Sequence, residues 1–411
     1  MTAVAWNRMG VMALVGFASG LPLALSGGTL QAWLTDEGVD IVTIGMFSLV
    51  GLPYVCKFLW APLLDRFVPP RFGRRRGWMM ISQVAICIAL IMMAHLSPTS
   101  AAQMLAFLAC VLALFSATQD IAADAYRADF LSTRERGPGA AVSVVGYRLA
   151  MLVSGSLALI LADHFGWNWG SIYLLMAGLM LTGVAVSIFA SEPEQPAATP
   201  VTLAAAVIHP FREFLQRERA WALLLLVVLY KLGDAFAASL TTPFLVRGAG
   251  FDLTDVGVVY KGVGLVATIL GALYGGALLA RMGMFRALLI FGGLQGITNL
   301  GFMLLAWSGK NYLLMVAVVT LENLAGGMGT AASVAFLIAL CDRRYSATQF
   351  ALLSSLSAIG RVFIGPVAGI SSAALGWPIF FALTFVSALP GLGLLIWLRR
   401  EVAGTEVESP R

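Results

Sequence analysis

Residues 169–190 read WGSIYLLMAGLMLTGVAVSIFA, a run without a single charged side chain. As a helix rising about 1.5 Å per residue, such a run is roughly 30 Å long, the thickness of a bilayer's hydrocarbon core. In that core every backbone N–H and C=O must be bonded internally, so the run is expected to form a membrane-spanning helix. Working outward from it, comparable apolar blocks lie near 9–34, 41–64, 77–96, 101–126 and 138–163 on one side. On the other they lie near 220–246, 254–280, 286–307, 312–340, 346–374 and 377–398. The expected architecture is therefore all-α and integral to the membrane, with twelve transmembrane helices. Composition agrees: 59% of residues are hydrophobic and 11% charged, against about 25% charged in soluble domains. A soluble protein could not cover its surface with so few polar groups.

The first block is too long for the apolar part of a signal peptide and lacks a small-residue cleavage site, so it reads as a retained helix. The four cysteines, Cys56, Cys87, Cys110 and Cys341, lie in apolar blocks or at their edges without paired or metal-like spacing. Neither a disulfide nor a metal site is expected.

Lysine and arginine test the helix count, because cytoplasmic loops carry an excess of both. One set of segments holds Arg8, then Arg66, Arg71, Arg74, Arg75 and Arg76, then Arg127, Arg134 and Arg136. It continues with Arg212, Arg217, Arg219, Arg281, Arg286, Arg343, Arg344, Arg399, Arg400 and Arg411, nineteen in all. The alternate set holds two, Arg247 and Lys310. An odd number of spans would destroy this alternation, so both termini are expected in the cytoplasm. The net charge of +5 is modest and points to no nucleic-acid partner.

The long break at 191–219 divides the helices six and six, giving an N-terminal bundle over 1–190 and a C-terminal bundle with a short tail over 220–411. Within the break, Pro193, Pro196 and Pro200 predict an extended linker. Leu203, Val207, Phe211, Phe214 and Leu215, alternating with Arg212, Glu213 and Arg217, suit a short interfacial helix bent at Pro210. The halves also echo each other. Asp65-Arg66, then Gly73-Arg74-Arg75-Arg76, follow the second span, and Gly276 to Gly283 with Arg281 follow the eighth. Arg148 and Arg361 occupy similar places in the fifth helix of each half. Paired halves with sites at their interface are a common plan of secondary transporters. Gly16/Gly20, Gly271/Gly275 and Gly365/Gly369 are small residues at the spacing that lets helices approach closely.

Charges at membrane depth carry the functional signal, because each costs several kcal/mol unless paired or hydrated. Nine stand inside spans: Lys57, Asp120, Asp124, Arg148, Lys231, Asp234, Lys261, Glu322 and Arg361. Asp120 and Asp124, four apart, share a helix face. Close carboxylates tend to hold a proton between them, which makes the pair a candidate proton carrier; pairing with Arg148 or Arg127 is the structural alternative. Glu322 is a second candidate carrier, against pairing with Arg361. Lys231 and Asp234 form either a local ion pair or a lysine presented to an anionic substrate. Lys261 is read as substrate-facing, with snorkelling as the alternative. Arg148 and Arg361 suit carboxylates through their forked donors. Lys57, near the cytoplasmic end of its span, is expected to snorkel or to pair with Asp65. Gln119, Tyr147, Tyr230, Tyr260 and Asn323 adjoin these charges and could hydrogen-bond sugar hydroxyls. His95, His164 and His209 sit singly, no catalytic set emerges, and the implied chemistry is binding, proton exchange and conformational change.

With these residues in hand, the sequence resembles the AmpG muropeptide permeases of the major facilitator superfamily over about residues 14–395. The strings that carry the resemblance include Gly16 to Ala24, Thr29 to Trp33, Lys57-Phe-Leu-Trp60 and Phe72 to Trp78. Gln119-Asp120, Gly146-Tyr-Arg148, Met151 to Gly155 and Tyr230 to Phe236 belong to them as well. So do Glu322-Asn323, Gly326-Gly-Met-Gly329, Ser346 to Ser354 and Gly365 to Gly369. Asp65, Arg66, Gly73, Arg74 and Arg75 resemble the superfamily's cytoplasmic motif between its second and third helices, departing from it by an insertion with Pro69 and Pro70. The resemblance implies a fold of two six-helix bundles and proton-driven import of N-acetylglucosaminyl-anhydro-N-acetylmuramyl peptides for cell-wall recycling. In bacteria with an inducible β-lactamase, that import also supplies the inducing signal. It implies alternating access in the bacterial inner membrane, a monomer, and no cofactor beyond the proton gradient. Some members of the family continue past the twelfth helix with two more, where this sequence ends in a polar tail. A major facilitator carrier for another organic anion or a drug is the nearest alternative. A membrane sensor or scaffold and a membrane-embedded enzyme stand further off.

Overall fold

A computed structural model of the chain describes residues 3–70, 72–131, 135–192, 212–341 and 346–404. Most of the expected interfacial helix, including Pro210, and the polar tail beyond Gly404 lie outside the described residues. The described residues are helical throughout, with no strand. Ten separate spans come first. They are α1 (Arg8–Asp36), α2 (Ile41–Leu59), α3 (Arg74–Ala94), α4 (Pro98–Arg127), α5 (Pro138–Asp163), α6 (Trp169–Phe189), α7 (Ala220–Gly248), α8 (Leu253–Met282), α9 (Met284–Ser308) and α10 (Tyr312–Ala339). The last apolar stretch, Gln349–Trp397, is 49 residues long. It is two spans, because Gly376 at φ 76° and ψ 168° breaks the helix. We call them α11 (349–375) and α12 (377–397), which completes the twelve-helix plan. An L-residue would be strained at Gly376; glycine enters that region freely.

Local chemistry sets several helix starts. Asp40, Asn168 and Asn311 each accept a hydrogen bond from the backbone N–H three residues on, at 2.9, 2.7 and 3.0 Å. These N-caps open α2, α6 and α10 by satisfying amides that a helix cannot bond itself. Large apolar side chains such as Phe189, Leu313, Trp221 and Leu273 stand more than two-thirds exposed. That arrangement suits a surface bathed in lipid, where no apolar side chain needs covering.

Contacts divide the chain into two units, 1–39 with 50–201, and 40–49 with 202–411. The sequence places the whole second helix in the N-terminal bundle, whereas its first nine residues, 41–49, pack in the second unit. Three small residues explain this. A Cβ on Gly365 would lie 2.1 Å from the Ser48 hydroxyl and one on Gly45 2.5 Å from the Gly365 carbonyl, so only glycines allow α2 and α11 to lie this close. Ser48 then donates to the Val362 carbonyl at 2.7 Å.

Within the first unit, α1 and α5 cross backbone to backbone. Cβ atoms on Gly16 and Gly146 would each sit 2.1 Å from a carbonyl of the other helix. The second unit repeats the device between α8 and α10, where Gly271 and Gly327 would meet carbonyls at 2.1 and 2.2 Å. These crossings fix the register of the helices that bear the intramembrane charges.

Candidate functional site

In the first unit, α1, α2, α4 and α5 enclose a cavity of about 220 Å³. Lys57, Asp120, Asp124, Arg127, Tyr147 and Arg148 line it, beside Ser19 and Ser143. Three cations and two carboxylates thus face one polar space. Asp124 is bonded to Arg127 at 2.8 Å and stands 63% exposed, the arrangement foreseen as its structural alternative. Asp120 makes neither an ion pair nor a side-chain hydrogen bond among the described residues, and the charge of Lys57 reaches it. Lys57 lines the cavity; its expected pairing with Asp65 falls on a side chain that lies outside the described residues. Arg148 touches the Met151 sulfur at 3.6 Å and forms no ion pair among the described residues. Gln119, by contrast, is fully buried away from the cavity, with both amide atoms unbonded.

The second unit holds the other charges. α7 breaks at Lys231, which donates to Asp234 at 3.0 Å. The pair is only 12% and 21% exposed, so it is a partly buried local ion pair. Glu322, 9% exposed, accepts from the Asn323 amide at 2.7 Å. Asn323 in turn accepts from the Thr268 hydroxyl at 3.1 Å, which ties α10 to α8. The pairing of Glu322 with Arg361, its structural alternative, is not made among the described residues; Arg361 is exposed on α11. The reason is local, since an adjacent amide already satisfies the carboxylate. The charges of Asp234 and Lys231 reach Glu322. Lys261 lies in the π-helical stretch Val256–Val263 with its ammonium 4.5 Å from the centre of the Tyr260 ring. A π-turn inside an α-helix marks functional positions often enough to be worth naming. Tyr230 is corrected from ligand contact to structure: its buried hydroxyl donates to the Leu288 carbonyl of α9 at 3.0 Å.

The arginine-rich motif forms a clasp. Gly73, at φ 77°, opens α3. The Glu192 carboxylate accepts from the backbone N–H groups of Arg75 and Arg76 at 2.8 and 3.1 Å. Arg75 also bonds Asp129 at 2.9 Å, and Arg76 donates to the carbonyls of Ser187 and Ile188. At the φ of Gly73 an L-residue would be strained, which favours glycine there. Arg74 is buried and Arg66 exposed. Glu192 and Asp129 were not singled out from the sequence, and Lys57 was counted there as an intramembrane charge without a site role. The available signal for the first two was a carboxylate just past an apolar span, facing a run of arginines. No group of three or more potential metal ligands occurs among the described residues.

The sequence matches the family model of the Major Facilitator Superfamily over residues 12–322. It is 54% identical over 402 residues to the anhydromuropeptide permease of Escherichia coli strain K12, covering 98% of this chain and 82% of that protein. The chain belongs to the major facilitator superfamily, in its AmpG branch. A putative transporter AmpG 4 of Rickettsia felis is 34% identical, with 95% of this chain and 96% of that one covered. An uncharacterized protein of Haemophilus influenzae is 39% identical, over 95% of this chain and 94% of its own length. Among solved structures, a POT family transporter in complex with 5-aminolevulinic acid matches at a TM-score of 0.76 and 13% identity, covering 96% of both chains. A D-xylose-proton symporter matches at 0.74 and 12%, covering 98% and 99%. At such identities these likenesses establish the fold alone. This superfamily member is a multi-pass membrane transporter and not an enzyme.

Proposed function

We propose that the chain imports peptidoglycan turnover fragments, N-acetylglucosaminyl-anhydro-N-acetylmuramyl peptides, from periplasm to cytoplasm by proton-driven alternating access. The observation that carries this reading is the 54% identity to the E. coli permease, whose match covers 98% of the chain and so takes in both polar clusters. The chemistry supports it. A stem peptide brings carboxylates, and Lys57, Arg148, Lys261 and Arg361 are four cations held at membrane depth without ion-pair partners among the described residues. Asp120 and Glu322 are the carboxylates that take up and release the coupling proton, with Asp124 backing Asp120 through its bond to Arg127. The Lys231–Asp234 pair opens to meet substrate, while Asn323 and Tyr147 serve sugar hydroxyls. The transporter acts as a monomer in the bacterial inner membrane, with both termini cytoplasmic. It needs no cofactor beyond the proton gradient and engages no nucleic acid. Where a β-lactamase is inducible, this import delivers the inducing signal.

Uptake of labelled anhydro-disaccharide tripeptide into proteoliposomes tests the proposal. Accumulation under an inward proton gradient is expected. Failure to accumulate it, with accumulation of another organic anion or a drug, would replace this reading by the rival one.

A further inference from the structure

α9 carries two amides that neither the motif nor the charge inventory assigns, Gln295 and Asn299. They are four residues apart, so they share a face, and both are buried, at 4% and 1% exposure. An uncharged amide in a helix core surrounded by lipid is costly unless its groups are bonded. Each donates to backbone rather than to a side chain. Gln295 Nε2 reaches the carbonyls of Ala325 and Gly326 on α10 at 3.2 and 3.4 Å. Asn299 Nδ2 reaches the carbonyl of Gly233 on α7 at 3.3 Å. The first pair of carbonyls lies one turn beyond Glu322; the second adjoins Asp234. Gly326 itself stands close to Asp234, whose Oδ1 would be 3.9 Å from a Cβ placed there.

Both recipient segments lack stiffness of their own. α7 is interrupted at Lys231, and α10 carries Gly326, Gly327 and Gly329 in one turn. Gly329 is needed for another reason, since a Cβ there would lie 1.7 Å from Gln295 Nε2. Small residues have thus been placed where the amide must enter. The amide oxygens Oε1 and Oδ1 make no hydrogen bond among the described residues. Leucine at either position would therefore bury no unsatisfied acceptor, so packing alone does not explain amides there.

We infer that Gln295 and Asn299 are positioning residues: anchored on α9, they hold the interrupted α7 and the glycine-rich α10 in register, and so set Glu322 against the Lys231–Asp234 pair. This rests on the roles proposed above for those three groups. A rigid support of this kind matters because a site loose by about 1 Å loses much of its function.

The full-length transporter in proteoliposomes separates positioning from mere structure. Proton-driven accumulation of the labelled tripeptide fragment is measured beside its exchange at equal pH on both sides. Gln295→Leu and Asn299→Leu are expected to lower accumulation on the order of tenfold, the scale of one supporting hydrogen bond, while exchange and thermal stability stay near wild type. Gly329→Ala, which evicts the amide, should match Gln295→Leu, and the double variant should be no worse than either. Equal loss of accumulation and exchange, or additive effects in the double variant, would overturn the inference. A substrate-independent arm keeps it testable if the wild type moves no muropeptide, an outcome that would count against the proposed substrate instead. Spin labels at Leu225→Cys on α7 and Leu321→Cys on α10, in a background where Cys56, Cys87, Cys110 and Cys341 are alanine, report the helix separation. Gln295→Leu should broaden that distance distribution; an unchanged distribution refutes the positioning role.

Discussion

Lys57 and Asp120 belong to one cavity although sixty-odd positions separate them in the chain. Neither is engaged in an ion pair among the described residues, so each is available to a ligand or a proton. Asp120→Asn should abolish gradient-driven accumulation in proteoliposomes while leaving exchange of labelled substrate intact; full accumulation by this variant would remove Asp120 from the coupling path. Lys57→Gln should raise KM more for the disaccharide bearing a stem peptide than for the disaccharide without one, because the peptide carries several carboxylates that a cation recognises, whereas the bare disaccharide keeps only the lactyl carboxylate of its muramyl sugar. Equal change for both would assign Lys57 to structure. Charges at membrane depth were legible individually, since a buried charge announces itself in an apolar run. Their partners were not. Glu322 takes the neighbouring amide of Asn323 in place of Arg361, and Asp124 bonds Arg127. Which partner wins depends on side-chain directions at helix crossings, and residue spacing does not contain those.

At the scale of the helix, glycine at crossings and short polar side chains at starts do most of the organising. Gly16→Val should disrupt the α1–α5 crossing, since even its Cβ would lie 2.1 Å from the Ser143 carbonyl. The expected cost is about 1–3 kcal/mol or more, measured as a lower Tm in detergent. Gly155→Ala, where nothing lies within 4 Å, is the control and should be tolerated. The cap on α2 adds a pH dependence. Asp40 lies outside the span, and the Thr43 side chain and backbone N–H that donate to its carboxylate hold its pKa below the ordinary 3.8. A depressed folded pKa means that the cap's contribution is present above the unfolded value and fades as pH falls through the folded one. Asp40→Ala should thus cost about 1 kcal/mol at neutral pH, a difference in Tm that shrinks toward pH 3. A constant difference across that range would show that the cap is not the cause. These glycine and cap signals were visible in sequence as spacings and residue types. The break at Lys231 and the π-helical stretch around Lys261 were not, because they follow from packing against neighbouring helices.

For the molecule as a whole, the alternation of nineteen basic residues against two predicts which loops stay inside. Fusions of a reporter that is active only outside the cytoplasm should give signal after Gly309 and none after Gly404; the reverse result would invert the topology. Twelve spans and their order follow from composition, because a bilayer allows a helix few other arrangements. The division into units does not follow in the same way. Residues 41–49 continue the same helix as 50–59, and nothing in their hydropathy distinguishes them; glycines on two helices distant in sequence draw them into the second unit. The sequence by itself thus determined the helices and the stock of charges, since those depend on the chain's solvent and are read residue by residue. Only tertiary structure decided which charges share a cavity and which are neutralised, because that depends on how closely particular helices approach and which face each one turns inward.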